Sequence, residues 1–231
     1  MSDRVSVVMT VRDGERYLAE AIDSILAQTR PPDEVVVVDD GSTDATIDIL
    51  SGYGDAIVVR RQEPLGMFAG VNHGLRVATG DVVGFLDADD VFVADSIEVR
   101  LAVLAEHADV DIVYGQAEPF ISPELPPEAT ARFRVDTAPV AVALFQSMLV
   151  RRRVFDVVGM LDESRATASN IDWVARARAA QVRQLEIPVV VARRRIHLWN
   201  TGVTQPDQTR ANLLAVVRAH RRRSTAASDE A

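Results

Sequence analysis

The sequence predicts an α/β fold in which helices flank a doubly wound, mostly parallel sheet. Short apolar runs alternate along residues 4–115 with segments whose apolar residues recur at helical spacing. The apolar runs are rich in valine, which is typical of parallel strands that are covered on both faces. Two of the runs end in groups of aspartates, and ligands of such sheets bind at the carboxyl ends of strands.

The first half of the chain is regular. Strands are predicted at residues 5–10, 34–39, 56–60, 81–86 and 110–114. Helices are predicted at residues 17–28, 42–50, 66–78 and 93–107. Ser42 or Thr43 is expected to cap the second helix, because either hydroxyl can accept a hydrogen bond from the first turn. Gly70 and Gly74 weaken the third helix, because glycine has a low helix propensity.

Regularity breaks after residue 116. Residues 117–138 contain four prolines and are predicted to form a loop or a lid. There follow an apolar stretch at 140–150, helices at 151–158 and 170–180, a strand at 187–192 and a last helix at 207–223. We therefore expect one domain over residues 1–223, with halves at 4–115 and 116–223, and a disordered tail at 224–231.

The composition excludes several kinds of chemistry. The chain has 231 residues and a net charge of −9, which argues against general nucleic-acid binding. Without cysteine it has no disulfide, thiolate nucleophile or zinc–thiolate site. All 25 of its Lys and Arg residues are arginine, so a Walker-type phosphate loop and a Schiff-base lysine are excluded. We find no signal-peptide pattern and no bilayer-spanning apolar stretch, and we expect a cytoplasmic protein.

Aspartates end two of the predicted strands. Asp87, Asp89 and Asp90 follow one apolar run, and Asp39 and Asp40 follow another. Three carboxylates in four residues repel one another and resist burial unless a cation neutralises them. A hard divalent metal takes oxygen ligands, so the two strand ends together predict one site for a metal and a polyhydroxylated, nucleotide-like ligand. The alternative is that these acids only cap the helices that follow.

Several motifs follow one another in a specific order and spacing. They are residues 5–10, Tyr17-Leu18, residues 21–29, residues 36–44, Gly66, Asn72, Gly74, residues 78–81 and residues 85–90. In this order they resemble the family 2 glycosyltransferases, in good order over the first half and more weakly to about Asn200. The resemblance implies a GT-A fold whose first half binds a nucleoside-diphosphate sugar, with a UDP-sugar favoured, and whose second half holds the acceptor.

The resemblance also implies the residues that hold the donor and the metal. The donor-binding residues are Thr10, Arg12, Asp39, Asp40, Gly66, Asn72 and Asp87. Among them, Thr10 is expected against the nucleotide base and the ribose, and Asp39 or Asp40 on the nucleotide base. Arg12 could pair with a phosphate, and the alternative is an arginine that is merely solvated. Mn²⁺ or Mg²⁺ is expected on Asp87 and Asp89, where it would neutralise the charge that grows on the departing diphosphate. His197 is expected as a third metal ligand or as a phosphate contact.

The expected general base departs from the family pattern. The family carries Glu-Asp near a helix start with an arginine about six residues later; if Arg176 fixes the alignment, Asn170 stands at the position of the base. An amide cannot accept a proton as a carboxylate does, so we assign the base to Asp172, two residues on. Asp162 and Glu163 are weaker alternatives. The resemblance implies inversion at the anomeric carbon.

Basic and aromatic residues follow the last predicted strand. Arg193, Arg194 and Arg195 could pair with phosphate, although at least two of the three are expected to be merely solvated. Trp199 could stack on a sugar ring or pack in the core. The acceptor is a sugar, a lipid-linked compound, a peptide or a small molecule, and the sequence does not choose among these.

Three other functions compete with sugar transfer. The motif at 87–91 overlaps the Asp-x-Asp pattern of aspartate-nucleophile phosphatases, but those enzymes carry it on the first strand and need a lysine. A nucleotidyltransferase would need a glycine-rich basic loop, which residues 11–14 match poorly. A domain that binds a nucleotide sugar without turnover is the third alternative, and Asn170 is the reason to consider it.

Overall fold

Nine strands form one sheet in the computed structural model, which describes residues 3–126, 128, 138–141, 144–165 and 167–200. The strands are β1 Val5–Val11, β2 Glu34–Asp39, β3 Val58–Arg61, β4 Val82–Phe85, β5 Val91–Phe92, β6 Ile112–Ile121, β7 Val140–Ala141, β8 Met148–Arg151 and β9 Gln184–Ile196. The helices of the described residues are α1 Leu18–Leu26, α2 Thr46–Gly52, α3 Met67–Val77, α4 Ser96–Glu106, α5 Arg153–Val158 and α6 Ser169–Ala179.

Most of the described strands run in one direction. The order across the sheet is β3-β2-β1-β4-β8-β6-β9-β5, and β7 pairs with β6. The pairs β1–β2, β2–β3, β1–β4 and β6–β9 are parallel, whereas β5, β7 and β8 run against their neighbours. The predicted α/β fold with a mostly parallel, doubly wound sheet is therefore confirmed.

Two apolar clusters pack on the two faces of the sheet. One contains the buried face of α1, where Leu18, Ala21, Ile22 and Ile25 recur at helical spacing and are each 0% exposed. The other contains Phe68 and Leu75 of α3 together with Trp173 of α6, among others. Burial of each large apolar side chain contributes about 1.5–3 kcal/mol, so both faces need their helices.

Helix α3 forms despite its two glycines because they let it approach β1 closely. A Cβ atom at position 70 would lie 2.3 Å from Thr10 Cγ2, and one at position 74 would lie 2.5 Å from Val8 Cγ1. Neither distance is tolerable, so the low helix propensity of glycine is outweighed by packing. The close approach brings the N-terminal turn of α3 beside the carboxyl end of β1.

The structure corrects several predicted boundaries. The prediction of a loop or lid at 117–138 is wrong for its first residues. Strand β6 continues to Ile121, and its pairing with β9 includes Pro119. Strand β9 extends to Ile196, so three arginines predicted to follow a strand lie within one. The predicted helix at 93–107 begins at Ser96, after the short strand β5.

The predicted cap of α2 is also wrong. The hydroxyl of Ser42 accepts a hydrogen bond from the Asp13 N–H at 2.9 Å, and Asp44 accepts one from the Thr46 N–H at 3.0 Å. The loop after β1 thus competes successfully for Ser42. The predicted last helix and tail, at 207–231, lie outside the described residues. No helix in the described part of the chain has both the length and the apolar character that a membrane span requires.

Candidate active site

A crevice opens where the carboxyl ends of β1 and β4 meet α3. The register places Val11 beside Asp39 of β2 and Val8 beside Phe85 of β4, so the residues after these strands converge at one edge. The crevice is lined by Thr10, Phe68, Phe85, Asp87, Gln146 and Asn170, among others. Its lining thus combines apolar side chains with a few polar groups.

Two buried oxygens at this edge have no hydrogen-bond partner among the described residues. They are Thr10 Oγ1 and Asp39 Oδ2. Asp39 Oδ1 accepts a hydrogen bond from the Ser42 N–H at 3.0 Å. Arg61 Nε lies 3.2 Å from Asp39 Oδ2 as a counter-charge, but its side chain is 61% exposed and donates its hydrogen bond to the Ser42 carbonyl instead. An unsatisfied buried polar group costs about 1–3 kcal/mol, so these oxygens favour a ligand that hydrogen-bonds to them.

Asp40 is engaged by its own loop. One carboxylate oxygen accepts hydrogen bonds from the Gln62 amide and the Leu65 N–H, both at 2.8 Å. The other oxygen accepts one from the Gly66 N–H at 2.9 Å. Gly66 has φ 101°, which favours glycine, and it directly precedes α3. The sequence predicts that either Asp39 or Asp40 binds the nucleotide base. These contacts show that Asp40 stabilises the loop that leads into α3.

The three aspartates after β4 lie together. Single carboxylate oxygens of Asp87, Asp89 and Asp90 lie within 4.8 Å of one another. Desolvation of its carboxyl group by the surrounding protein and the charge of Asp89 raise the pKa of Asp87 to about 7, although the residue as a whole is exposed, and Arg194 opposes the shift. Burial, Asp89 and Asp87 also raise the pKa of Asp90 well above its usual range. The carboxylates repel one another, and a hard divalent cation with oxygen ligands fits this donor set.

Asp90 is held by protein groups, whereas Asp87 faces solvent. Asp90 Oδ1 accepts a hydrogen bond from the Arg195 N–H at 2.8 Å, and Oδ2 accepts one from the Gln146 amide at 3.2 Å. Asp90 is 2% exposed. Asp87 is exposed and also lines the crevice. The arrangement therefore favours Asp87 and Asp89 over Asp90 as direct ligands of a cation.

His197 meets this acidic group through Asp89. Its Nε2 lies 2.8 Å from Asp89 Oδ2, and its Nδ1 accepts a hydrogen bond from the Trp199 N–H at 3.2 Å. A neutral ring with an acceptor at Nδ1 carries its proton on Nε2 and donates it to Asp89. Asn200 also donates to Asp89 Oδ2, at 3.2 Å, and the Tyr17 ring lies 4.8 Å from the His197 ring. The sequence analysis missed Tyr17 and Asn200 as neighbours of the acidic group.

Two predicted donor-binding residues lie differently. Arg12 is 54% exposed and its Nε lies 3.8 Å from Asp13, so it is an outer residue of the loop after β1. Asn72 is buried and donates to the Leu161 carbonyl at 3.0 Å and to Glu163 at 2.8 Å. It also accepts from the Leu161 N–H at 3.0 Å. Both amide hydrogens are thus used to tie α3 to residues 161–163, which gives Asn72 a positioning role.

The geometry does not support Asp172 as the base. Its side chain is 7% exposed, and Oδ2 accepts a hydrogen bond from Arg176 Nε at 2.9 Å. The same guanidinium donates to the carbonyls of Val158 and Met160. Asn170, two residues earlier at the start of α6, lines the crevice instead. Helical geometry separates the two side chains, because residues two apart do not share a face.

The two alternative bases are also engaged. Asp162 accepts hydrogen bonds from Ser164 and from Arg165 Nε, the latter at 2.8 Å, and these contacts together lower its pKa. Glu163 is exposed and pairs with Arg76 at 3.3 Å in addition to Asn72. Their carboxylates therefore stabilise the segment that leads into α6.

Comparison with known sequences identifies related proteins. A family model described as glycosyl transferase family 2 matches residues 6–159. An uncharacterized glycosyltransferase of Rickettsia felis is 30% identical over 195 residues, which are 77% of this chain and 32% of that protein. The uncharacterized glycosyltransferase RP339 of Rickettsia prowazekii is 28% identical over 219 residues, 90% of this chain and 68% of that protein. The chain thus spans about a third of the first relative and about two thirds of the second.

The fold is similar to that of S. aureus TarS. The crystal structure of TarS 1–349 in complex with UDP-GlcNAc matches with a TM-score of 0.72 and 18% identity, over 95% of this chain and 66% of that one. The complex of TarS 1–349 with UDP matches with a TM-score of 0.68 and 22% identity, over 84% of this chain and 61% of that one. At these identities the likeness concerns the fold alone, and it confirms the GT-A type.

Proposed function

Because the chain belongs to glycosyl transferase family 2, we propose that it transfers a sugar from a nucleoside-diphosphate sugar to a hydroxyl acceptor. The observation that carries the proposal is the pairing of two features at one sheet edge. Buried oxygens of Thr10 and Asp39 that accept no hydrogen bond from the described residues stand at one end, and the carboxylates of Asp87 and Asp89 stand at the other. A nucleoside diphosphate has N–H groups at its base and charged oxygens at its diphosphate, and it would satisfy both.

A UDP-sugar is the proposed donor. Asp39 Oδ2 would accept a hydrogen bond from an N–H of the base, with Thr10 Oγ1 beside it. The apolar part of the crevice lining, with Phe68 and Phe85, suits the faces of a base and a ribose. The choice of uridine is supported by the TarS complexes with UDP and UDP-GlcNAc, which concern a protein of the same fold.

The turn after β4 that carries Asp87, Asp89 and Asp90, called the acidic turn below, is proposed to hold Mn²⁺ or Mg²⁺. Asp87 and Asp89 would be its protein ligands, and His197 would join them or orient Asp89. The cation supplies Lewis-acid stabilisation of the charge that develops on the leaving diphosphate. The protein's own part is to fix the carboxylates before the donor arrives, so that little reorganisation is needed during transfer.

The acceptor hydroxyl is proposed to attack the anomeric carbon opposite the diphosphate, with inversion. Such an attack needs a group that removes the hydroxyl proton. Asp172, which the sequence predicts as that group, is poorly placed for it, because its carboxylate is buried against Arg176. The crevice presents Asn170 at the start of α6; its amide would orient the hydroxyl by hydrogen bonding, and the proton would pass to solvent as the bond to the diphosphate breaks.

A domain that binds a nucleotide sugar without transferring it is the second candidate. The observation that favours it is Asn170, which lines the crevice where a family member is expected to carry a carboxylate. The phosphatase alternative is not favoured, because the acidic motif follows β4 rather than the first strand.

Release of UDP separates these candidates. UDP-glucose, UDP-galactose and UDP-GlcNAc would each be incubated with the protein and Mn²⁺, with and without a panel of simple glycosides. We expect Mn²⁺-dependent release of UDP from one donor, loss of release in Asp89→Ala, and unchanged release in Asp48→Ala, which alters an exposed acid of α2. Donor binding with no release would favour the second candidate, and absence of binding would contradict both.

A further inference from the structure

Arg195 is a buried arginine beside the acidic turn. It is 4% exposed, whereas its neighbours Arg193 and Arg194 on β9 are exposed. Burial of a guanidinium is costly unless its charge is paired and its N–H groups are satisfied. Three consecutive arginines thus have different surroundings, and the contacts of Arg195 explain why it alone is buried.

Arg195 binds two consecutive residues of the acidic turn. Its backbone N–H donates to Asp90 Oδ1 at 2.8 Å, and its Nε donates to the Asp89 carbonyl at 2.9 Å. Its own carbonyl accepts a hydrogen bond from Asn200 at 3.2 Å, and the same amide of Asn200 donates to Asp89 Oδ2. The guanidinium of Arg195 therefore holds the main chain of Asp89, and the main chain of Arg195 holds Asn200, which donates to the Asp89 carboxylate.

The rest of the guanidinium is anchored on other elements. One terminal nitrogen donates to Glu20 of α1, and the other lies 3.5 Å from Ser122 Oγ, just after β6. The guanidinium also lies over the rings of Tyr17 and Phe120, at 4.7 and 4.6 Å from their centroids. Glu20 supplies the opposite charge that permits burial, and α1, β6 and β9 are joined at one point.

We propose that Arg195 is a positioning residue that fixes Asp89 for a divalent cation, with Glu20 as its counter-ion. The three carboxylates of the turn repel one another, so the turn would open without a group that holds its main chain. Arg195 makes that contact from a different strand, and it leaves the carboxylate of Asp89 to His197, Asn200 and the cation. The inference rests on the proposed function, because it concerns the metal that the donor diphosphate would share.

Binding of Mn²⁺ to the UDP-saturated protein tests the inference without any measurement of turnover. Free Mn²⁺ would be followed by electron paramagnetic resonance in the wild type, Arg195→Met, Glu20→Gln and Arg151→Met. Arg151 is a matched control at the other end of β4: it is 17% exposed, pairs with Asp3 at 2.9 Å and donates to the carbonyls of Val110 and Leu104. Thermal unfolding without ligand would be recorded for each variant.

We expect the dissociation constant of Mn²⁺ to rise about tenfold or more in Arg195→Met, as for other residues that orient metal ligands. Glu20→Gln changes an exposed residue and should fold normally, and it should raise the dissociation constant by less. The affinity for UDP without metal should not change in either variant. Arg151→Met should lose thermal stability and keep the affinity for Mn²⁺.

The outcomes separate the inference from the function it rests on. Wild-type affinity for Mn²⁺ in Glu20→Gln and in a folded Arg195→Met would overturn the role of Arg195 and leave the proposed function standing. An equal loss in Arg151→Met would overturn it too, because general destabilisation would then explain the effect. If Arg195→Met does not fold, Glu20→Gln decides. A wild type that binds neither UDP nor Mn²⁺ would overturn the proposed function and the inference together.

Discussion

His197 Nε2 lies 2.8 Å from Asp89 Oδ2, although 108 residues separate the two in sequence. The contact joins the residue that follows β9 to the acidic turn after β4. Asp89 thus has a histidine and an asparagine on its carboxylate and an arginine on its carbonyl. A residue fixed by two contacts on its carboxylate and one on its carbonyl is well placed to bind a cation in a defined direction.

Asp89→Ala should abolish the metal dependence of donor binding. The substitution removes a proposed ligand and leaves Asp87 alone beside the buried Asp90. Calorimetric titration with UDP should then give the same affinity with and without Mn²⁺, while the wild type binds more tightly with the metal. Unchanged affinity for UDP in the presence of Mn²⁺ would refute the assignment of Asp89 as a ligand.

Asp39→Asn should weaken UDP binding whether or not metal is present. The variant replaces a charged acceptor with an amide, and a hydrogen bond to a charged group contributes about 1.5–3 kcal/mol, or roughly tenfold or more in affinity. Titration with UDP measures the change, and Asp55→Asn, at an exposed position between α2 and β3, is the control. The ratio of affinities with and without Mn²⁺ should stay at its wild-type value. An Asp39→Asn variant that binds UDP as tightly as the wild type would contradict the proposal that Asp39 binds the nucleotide base.

Gly70→Ala should lower the free energy of unfolding by about 1–3 kcal/mol, because the added methyl group would lie 2.3 Å from Thr10 Cγ2. Gly52→Ala is the matched control: a Cβ there meets nothing within 4 Å, and we expect a gain of about 0.4–1 kcal/mol. Urea unfolding of both variants measures the difference. Equal effects of the two substitutions would show that α3 can move away from β1 without loss.

Arg100→Met should stabilise the protein at neutral pH. Arg100 is 0% exposed, bonds to Ser96 and makes no ion pair within the part of the chain that the structure describes. Replacement of buried charge by apolar groups is often stabilising by about 1 kcal/mol or more. Urea unfolding at pH 7 measures the gain, and a loss of stability would show that the guanidinium is better satisfied than these contacts imply.

The advantage of Arg100→Met should also shrink at high pH. Burial lowers the pKa of Arg100 from 12.5 to about 9, so between these values the unfolded chain binds the proton more strongly than the folded one. The stability contributed by this residue therefore rises with pH above about 9 in the wild type alone. A difference between the two proteins that stays constant or grows from pH 8 to 11 would contradict the assignment.

Asp172→Asn should destabilise the protein and spare UDP release. The amide pairs less strongly with Arg176 than the carboxylate does, and we expect a loss of about 1 kcal/mol in the free energy of unfolding. Urea unfolding and UDP release are measured on the same preparation. Loss of release with unchanged stability and donor affinity would return the role of base to Asp172.

The fold was predictable because its signals are local. The valine run of β2 and the aspartates that follow it are readable from a few consecutive residues. The different roles of Asp39 and Asp40 were not, because the partners of Asp40 lie 22 to 26 residues away in a loop whose path the sequence does not reveal. Only folding brings about the arrangement in which Asp39 Oδ2 accepts no hydrogen bond from the described residues.

The role of Arg195 depends on still more distant contacts. The residue follows two arginines of the same chemical type, and its partners Glu20 and Asp89 lie 175 and 106 residues away. For Asp172, the local structure was predictable, since the residue lies in the first turn of a predicted helix. Which face of α6 meets the crevice was not predictable, because it depends on packing. Sequence patterns placed the acidic turn correctly, and tertiary contacts decided which residues act on it.

Isothermal titration with UDP, GDP and dTDP, each with and without Mn²⁺, tests most directly whether the crevice is a nucleotide-sugar site. We expect UDP to bind most tightly of the three, with an affinity that Mn²⁺ increases in the wild type and not in Asp89→Ala. Absence of binding for all three nucleotides, in the presence of Mn²⁺, would contradict the proposed function.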